Sequence, residues 1–453
     1  MLNQTIHFID YLTKYSEKAI FIWLFNIGAE RYWHPSNEGV RDINEDAVVN
    51  RVEEMNLLIC RKQDMLLLRE MPDEVYLTTL EELGFAIPTI VTPKNPDAIT
   101  PIAELVLKDA VLLRKIKQIK EEHQEVYLVP YAVTQVEEKL ADICKLDIIG
   151  PSAEVSARVN HKIFSRKIAQ ELGFRTCKGH ICRTVEEIRK AYFDLTRQAP
   201  FFKKVIVKEP SGASGKGLYL IDREEKLEIT LRIIARYIKK NHGISWLVEG
   251  WYDRKTDFNY QIYISPKGEV DTFSVKQQIL KDTLYIGSKM PPDVSQEVID
   301  LYREYGMTIG KYLYSIGYTG IAGIDSIIGE DQIIIPIIEI NGRFTLSTYI
   351  SFIQYILGER KFFSRYFRVL TSRPVKYKDF CEILSHEGVL FTPERRQGIM
   401  VYTAGSLPLR YIGSKGVFLG RLFVLIIADD DVELEKYLAK IDNIVQRIAM
   451  KTE

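Results

Sequence analysis

Residues 205–222 read VIVKEPSGASGKGLYLID, and this stretch constrains the chain more than any other. An apolar run, 205–207, ends in Lys208, and a second, 218–221, follows a segment of mostly small residues: Ser211, Gly212, Ala213, Ser214, Gly215, Lys216 and Gly217. Short apolar runs bounded by glycine predict strand, loop, strand. Glycines let backbone N–H groups converge on an anion because no Cβ blocks the approach, and Lys208 and Lys216 add positive charge. The stretch reads equally as a cradle for nucleotide phosphates and as a surface hairpin. Two common phosphate motifs are excluded. A P-loop needs Gly-Lys-Ser/Thr opening a helix, whereas Gly217 and a strand follow Lys216 here. A dinucleotide-binding fingerprint needs a helix directly after its glycines.

A chain of 453 residues is too long for one ordinary core and predicts two to four domains. Lys plus Arg balances Asp plus Glu at 61 each, which argues against a large nucleic-acid footprint and against a basic membrane-surface protein. The five cysteines, Cys60, Cys144, Cys177, Cys182 and Cys381, are scattered and form no C-x-x-C pair, so neither a disulfide framework nor a zinc site is expected. The N-terminus lacks the basic-then-apolar order of a signal peptide, and the longest apolar runs, 19–25 and 422–428, are too short to span a bilayer. The expectation is a soluble, cytoplasmic protein with neither nucleic acid nor membrane as partner.

Helix-like and strand-like segments alternate over the first ~145 residues, the mark of an α/β layer with a parallel sheet. Residues 5–19 and 73–83 read as helices, 20–27, 126–133 and 147–149 as strands, and 57–60 and 65–68 as short apolar runs. Asn26, Gly28 and Glu30 follow a strand end, where open α/β sheets place ligands and where turns also lie. Further on, 156–172, 185–196, 224–240 and 295–316 read as helices. Residues 246–249, 257–264, 270–276, 278–285, 320–328 and 333–340 read as strands. Residues 349–370 look helical and aromatic-rich; 397–404, 416–427 and 433–448 then read as strand, strand, helix. Four units are predicted: an N-terminal α/β domain (1–150), a small lobe with the glycine loop (151–245), a large lobe (246–348) and a small α+β extension (349–453).

The large lobe holds an acidic pair. Asp325 lies within one predicted strand, and Glu339 and Asn341 end the next. Strands joined by a tight turn are antiparallel neighbours, so Asp325 and Glu339 can face each other across the ladder. Two facing carboxylates among apolar residues repel and are costly to leave unpaired. Mg²⁺ prefers hard oxygens and takes one or two carboxylates together with nucleotide phosphates. Asn341 falls on the same face as Glu339 and offers an amide oxygen; Arg343 can meet a phosphate or carboxylate through two N–H groups. An ion pair with Arg343 or a lysine would also account for the acids. Beside a lysine-bearing glycine loop, the metal reading is the better one.

In this order, Lys162 in a helix before a Leu-Gly turn, VIVKEPSGASGKG, WLVEGW, GIDSII and IIEINGRF resemble the ATP-grasp superfamily over residues 152–348. The resemblance implies an ATP-grasp fold, α/β and α+β, with ATP between two antiparallel sheets. It implies phosphate and adenine-side contacts from Lys162 and Lys208. Ser211–Gly217 would form a mobile loop that brings Ser211, Gly212, Ser214, Gly215, Lys216 and Gly217 over the phosphates. Glu249 would engage the adenine amino group at a hinge beside Trp251, and Asp257 the ribose, although its spacing from Glu249 is one residue longer than in well-known members. Asp325, Glu339 and Asn341 would bind Mg²⁺, or Mn²⁺ in its place, and Arg343 would meet an acyl phosphate. Many D-alanine-ligase-like members carry Arg two positions before the first metal carboxylate; here Gly323 stands there. The C-terminal extension and the N-terminal NIGAE turn look similar to a smaller group of natural-product ligases, including pheganomycin-type peptide ligases and the ligase that loads glutamate onto the butirosin acyl-carrier protein.

The implied activity is ATP-dependent ligation in natural-product biosynthesis. An amino-acid carboxylate, with glutamate as one candidate, is activated as an acyl phosphate and passed to an amine or a carrier-protein thiol, releasing ADP and phosphate. Arg343 and Lys216 would act at the reacting centre. Lys276, Lys289 and the Tyr285–Gly287–Ser288 turn are candidate substrate contacts. Basic residues at 376–378 and 395–396 are either a carrier-docking patch or plain solvated charge. A homodimer is compatible with the pattern. The rival readings are a small-molecule kinase on the same scaffold and a nucleotide-binding protein without turnover.

Overall fold

A computed structural model describes residues 12, 14, 17–33, 42–210, 217–240, 243–281, 284–412 and 416–449. The predicted helix at 5–19 and the segment Ser211–Lys216 lie largely or wholly outside them, and with the latter go Ser211, Gly212, Ser214, Gly215 and Lys216.

The N-terminal layer is a parallel sheet of five strands, β1 (Ile20–Leu24), β2 (Met65–Leu67), β3 (Thr89–Val91), β4 (Val126–Pro130) and β5 (Asp147–Ile148), in the order β3-β2-β1-β4-β5. Central β1, IFIWL, is buried throughout, as a parallel strand covered on both faces must be. The apolar run at 57–60 is not a strand. It ends a 3₁₀ helix, Arg51–Leu58, all of whose residues are buried. There Glu54 accepts hydrogen bonds from the backbone N–H groups of Ala404 and Gly405, so the segment ties the N-terminal layer to the C-terminal part of the chain. The predicted helix at 156–172 is two helices, Ala153–Val159 and α1 (Lys162–Glu171), broken at Asn160, whose side chain bonds the carbonyls of Ser156 and Gly342.

The small lobe is an antiparallel sheet of β6 (Gly179–Cys182), β7 (Val205–Lys208), β8 (Leu218–Ile221) and β9 (Trp246–Gly250), ordered β6-β9-β7-β8, with two helices on its outer face. The strand–loop–strand at 205–222 is thus the β7–β8 hairpin, with Val205 opposite Ile221 and Lys208 opposite Leu218.

The large sheet has nine strands. β10 (Arg254–Ile264), β11 (Val270–Lys281), β12 (Leu284–Met290), β13 (Gly320–Gly329), β14 (Ile334–Asn341), β15 (Lys361–Thr371), β16 (Gly398–Val401) and β18 (Val417–Ala428) run in the order β14-β13-β10-β11-β12-β15-β18-β16, and β17 (Arg410–Ile412) pairs with β18. The aromatic-rich region 349–370 holds two short helices, α2 (Leu346–Ile350) and α3 (Ile353–Leu357), and then strand β15, not one long helix. Its phenylalanines and tyrosines suit the half-buried pleat of a strand. Because β15 pairs with β12, the strands of the C-terminal extension continue the large sheet. Tyr285, Gly287 and Ser288 likewise lie within strand β12 rather than in a turn.

Candidate active site

A cleft between the small lobe and the large sheet gathers most of the residues singled out from the sequence. Lys162, Lys208, Glu249, Trp251, Asp257, Asp325, Glu339, Asn341 and Arg343 all line it. Gly217 directly precedes β8 with φ +72°; a Cβ there would lie 2.8 Å from the Glu209 side chain, so the position favours glycine.

On the large sheet the register builds the acidic face. Asp325 on β13 stands opposite Glu339 on β14, and Gly323 opposite Asn341. The same row continues through Asn259 on β10 to Lys276 on β11, and the next row runs Asn341, Gly323, Gln261, Ser274. One carboxylate oxygen of Asp325 accepts from Asn259 Nδ2 and Gln278 Nε2, each at 2.8 Å, and the other from Asn341 Nδ2 at 3.1 Å. Burial and the facing Glu339 still push Asp325 up to about 6, against the pull of those three amides. Lys162 Nζ sits 2.8 Å from Glu339 Oε1. Among the described residues no group of three or more His, Cys, Asp or Glu side chains is arranged to hold a metal ion. Two facing carboxylates and one amide fit a hard divalent ion that keeps phosphate or water oxygens as its remaining ligands.

On the small-lobe side, each Glu249 oxygen is held by a cation, Lys208 Nζ at 2.7 Å and Arg166 Nη1 at 2.7 Å. Burial depresses the Lys208 ammonium, but Glu249 outweighs it and holds its pKa above the ordinary value. Arg166 also donates to the carbonyls of Cys177 and Gly179, clipping α1 to β6. At the hinge, the Arg254 guanidinium lies 3.8 Å over the Trp251 ring and donates to Asp257. Burial raises the Asp257 carboxyl, and Arg254 opposes it.

Arg166, Arg254, Asn259, Gln278 and Tyr131 were not picked out from the sequence. Arg166 had a signal, since it lies four residues after Lys162 on one helical face. So did Asn259 and Gln261, which alternate with Asp257 as polar residues in an otherwise apolar strand. Tyr131, far away in the N-terminal layer, had none.

Of the candidate substrate contacts, Tyr285 lines the cleft, whereas Gly287, Ser288, Lys276 and Lys289 do not. Lys289 pairs with Asp293 at 2.5 Å and Asp431 at 3.0 Å, outside the cleft. Lys276 is fully buried, with Nζ donating to the Ser347 carbonyl and to Ser351 Oγ beneath α2. Of the other basic residues considered, Lys378 pairs with Glu382 and Arg395 bonds the Gly388 carbonyl.

Burial lowers Lys276 to about 7. The unfolded amine, with a pKa near ~10.4, binds a proton that the native state releases. Stability should therefore rise as pH goes from about 7 toward ~10, and Lys276→Met should remove that rise while leaving turnover within about threefold. Melting temperatures of both proteins across this range, with initial rates at pH 7.5, test it. A collapse of turnover would restore Lys276 as a substrate contact.

Family models match three segments: a Pre ATP-grasp domain over residues 52–146, an ATP-grasp domain over 182–347 and a PGM1 C-terminal domain over 379–439. The chain thus carries an ATP-grasp domain preceded by a Pre ATP-grasp domain. Among curated relatives, the [butirosin acyl-carrier protein]–L-glutamate ligase of Niallia circulans is 28% identical over 348 residues, covering 76% of each chain. Among solved structures, the N5-carboxyaminoimidazole synthase of Aspergillus clavatus, in complex with ADP and an aminoimidazole ribonucleotide, superposes with a TM-score of 0.53 at 14% identity, over 95% of this chain and 99% of that one. The biotin carboxylase domain dimer of Hydrogenobacter thermophilus 2-oxoglutarate carboxylase, in complex with MgADP, ADP and bicarbonate, gives 0.51 at 17% identity, over 91% and 86%. At these identities the two structures establish the fold. Among the described residues no helix is long and apolar enough to cross a membrane.

Proposed function

We propose that this ATP-grasp protein is a carboxylate ligase that forms an acyl phosphate from ATP and an amino acid and passes the acyl group to an amine or a carrier-protein thiol. One observation carries the reading: an acidic face, Asp325, Glu339 and Asn341, and the cations Lys162, Lys208 and Arg343 line a single cleft. The butirosin carrier-protein ligase supports glutamate as the amino acid, a carrier thiol as the acceptor and a natural-product pathway.

On this reading Glu249 and Trp251 hold the adenine, Asp257 the ribose, and Lys162 and Lys208 the phosphates. Gly217 and the loop residues Ser211, Gly212, Ser214, Gly215 and Lys216 cover the triphosphate. Asp325, Glu339 and Asn341 hold Mg²⁺, with Mn²⁺ as a substitute; when bound, the ion offsets charge on the transferring phosphoryl oxygens. A donor carboxylate oxygen attacks the γ-phosphorus, and the bond to the β-phosphate oxygen breaks to release ADP. The amine nitrogen or thiolate sulfur then attacks the acyl carbon, and inorganic phosphate leaves with the C–O electron pair. Arg343 faces the acyl phosphate. Positioning and electrostatics supply the catalysis, so no side-chain nucleophile is required.

The test is incubation with ATP, Mg²⁺, single amino acids and hydroxylamine. The expected result is amino-acid-dependent ADP release with the acyl group trapped as a hydroxamate. A stable phosphorylated product without hydroxamate would make the protein a kinase, and no turnover with any amino acid would sink the ligase reading.

A further inference from the structure

Among the described residues, the cleft lining includes one side chain from the N-terminal layer, whose place in the sequence gives no hint of it. Tyr131 directly follows β4, lines the cleft, and is 5% exposed. Its hydroxyl accepts a hydrogen bond from Arg343 Nη1 at 3.1 Å, its ring lies beneath the same guanidinium at 5.5 Å, and its carbonyl accepts from the Phe344 N–H at 3.0 Å. Arg343 and its chain neighbour are therefore fixed to another layer of the protein by three contacts to one residue.

Tyr131 is itself held firmly. Its N–H donates to the Leu24 carbonyl at 2.8 Å, which continues the β1–β4 ladder by one residue. Beyond it, the Asn26 side chain bonds both the N–H and the carbonyl of Ala132, at 3.0 and 2.8 Å, stapling the two loops that leave β1 and β4. The ring packs on Phe25 at 4.7 Å, and Phe25 in turn lies against Tyr349 at 5.3 Å.

This matters because of Gly323. A Cβ there would lie 2.9 Å from Thr345 and 3.0 Å from Gln261, whose amide bonds Asn259, Thr345 and Ser347. A neutral hydrogen-bonded cluster fills the space beside the acidic face where a longer side chain from that position would go. The guanidinium aimed at the cleft from this end of the sheet is that of Arg343, so its position carries more of the work.

We propose that Tyr131 is the positioning residue for Arg343, which makes the N-terminal layer a working part of the active site. The inference rests on the ligase reading above. Arg343 Nη1 also donates to the Phe344 carbonyl at 3.0 Å, and the Tyr131 hydroxyl and ring add the side-chain contacts that hold the guanidinium in one orientation. Without the hydroxyl it samples others, and fewer encounters place it on the phosphoryl oxygens.

Tyr131→Phe retains the ring, the backbone contacts and the volume, and removes only the acceptor oxygen. The expected result is a fall in kcat of about tenfold, the size of one lost hydrogen bond to a charged group. KM for ATP should change less than about twofold, since Lys162 and Lys208 are untouched. A larger share of the ADP should be released without trapped hydroxamate. A merely structural role would leave that share unchanged. Arg343→Ala, run in parallel, separates the two ideas. If Arg343→Ala is inactive and Tyr131→Phe keeps full kcat and coupling, the positioning role is wrong and the ligase reading stands. If Arg343→Ala is itself fully active, the role given to Arg343 fails first.

Discussion

Glu339→Gln should lower ADP formation by about three orders of magnitude while the fold survives. The carboxylate stands opposite Asp325 on neighbouring strands, so the two acids form one side of the proposed metal site. Replacing one by an amide removes a hard anionic ligand, and the triphosphate loses much of the charge compensation that phosphoryl transfer requires. The folded state loses little. A glutamine oxygen can still accept from Lys162, now 2.8 Å from Glu339 Oε1, and the repulsion across the ladder disappears. Asp325, pushed up to about 6 partly by Glu339, should fall toward the ordinary carboxylate range. Initial rates from a coupled ADP assay and a melting curve without metal test both halves. Normal turnover with unchanged Mn²⁺ affinity in the presence of ADP would remove Glu339 from the metal site.

The acidic face was legible because register follows from local rules. Strands joined by a tight turn must be antiparallel, and a period of two puts Glu339 and Asn341 on one face. The β7–β8 hairpin was legible for a similar reason, since two apolar runs flank a glycine segment. What the sequence concealed depends on contacts between distant segments. Residues 57–60 are as apolar as a strand, but buried Glu53, Glu54 and Arg51 commit the preceding turns to a 3₁₀ helix whose partner, the Ala404–Gly405 turn, lies some 350 positions away. The aromatic run that ends in β15 looked helical because its apolar residues are nearly continuous, and continuous runs do not distinguish a buried strand from a helix. Lys276 and Lys289 show the same limit. Both lie between Asp257 and the proposed metal ligands in sequence, yet one is sealed beneath α2 and the other faces Asp431 at the start of the C-terminal helix.

The continuity of the large sheet gives the C-terminal extension a physical role. β12 carries Tyr285 in the cleft wall, and its next neighbour is β15 of the extension. The Tyr285 hydroxyl bonds Ser288 Oγ at 2.9 Å, and the Ser288 N–H donates to Ser364 Oγ on β15 at 3.0 Å. The extension therefore buttresses the cleft through the sheet, and β12 has no exposed edge along that stretch.

Lys208→Met should weaken nucleotide binding about 100-fold, for reasons that separate Lys208 from the other cations of the cleft. Its ammonium is buried and reaches Glu249 at 2.7 Å. Removing it leaves Glu249 to Arg166 alone, and breaking a buried pair this way costs about 3 kcal/mol or more because the surviving charge loses a partner. Arg166 limits that cost, since it already binds the other carboxylate oxygen and two carbonyls and would remain in place. The unliganded protein should then lose only a few degrees of melting temperature. Nucleotide binding has no such reserve. A methionine fills the volume with no donor, and a phosphate oxygen buried against it would lack a counter-charge. ADP titration by calorimetry should show Kd rising about 100-fold, roughly 2.7 kcal/mol, with the loss persisting at saturating Mg²⁺. Unchanged ADP affinity would mean that Lys208 serves only to hold Glu249. An equal loss of stability and affinity would mean that the pair is structural and that the phosphates lie elsewhere in the cleft.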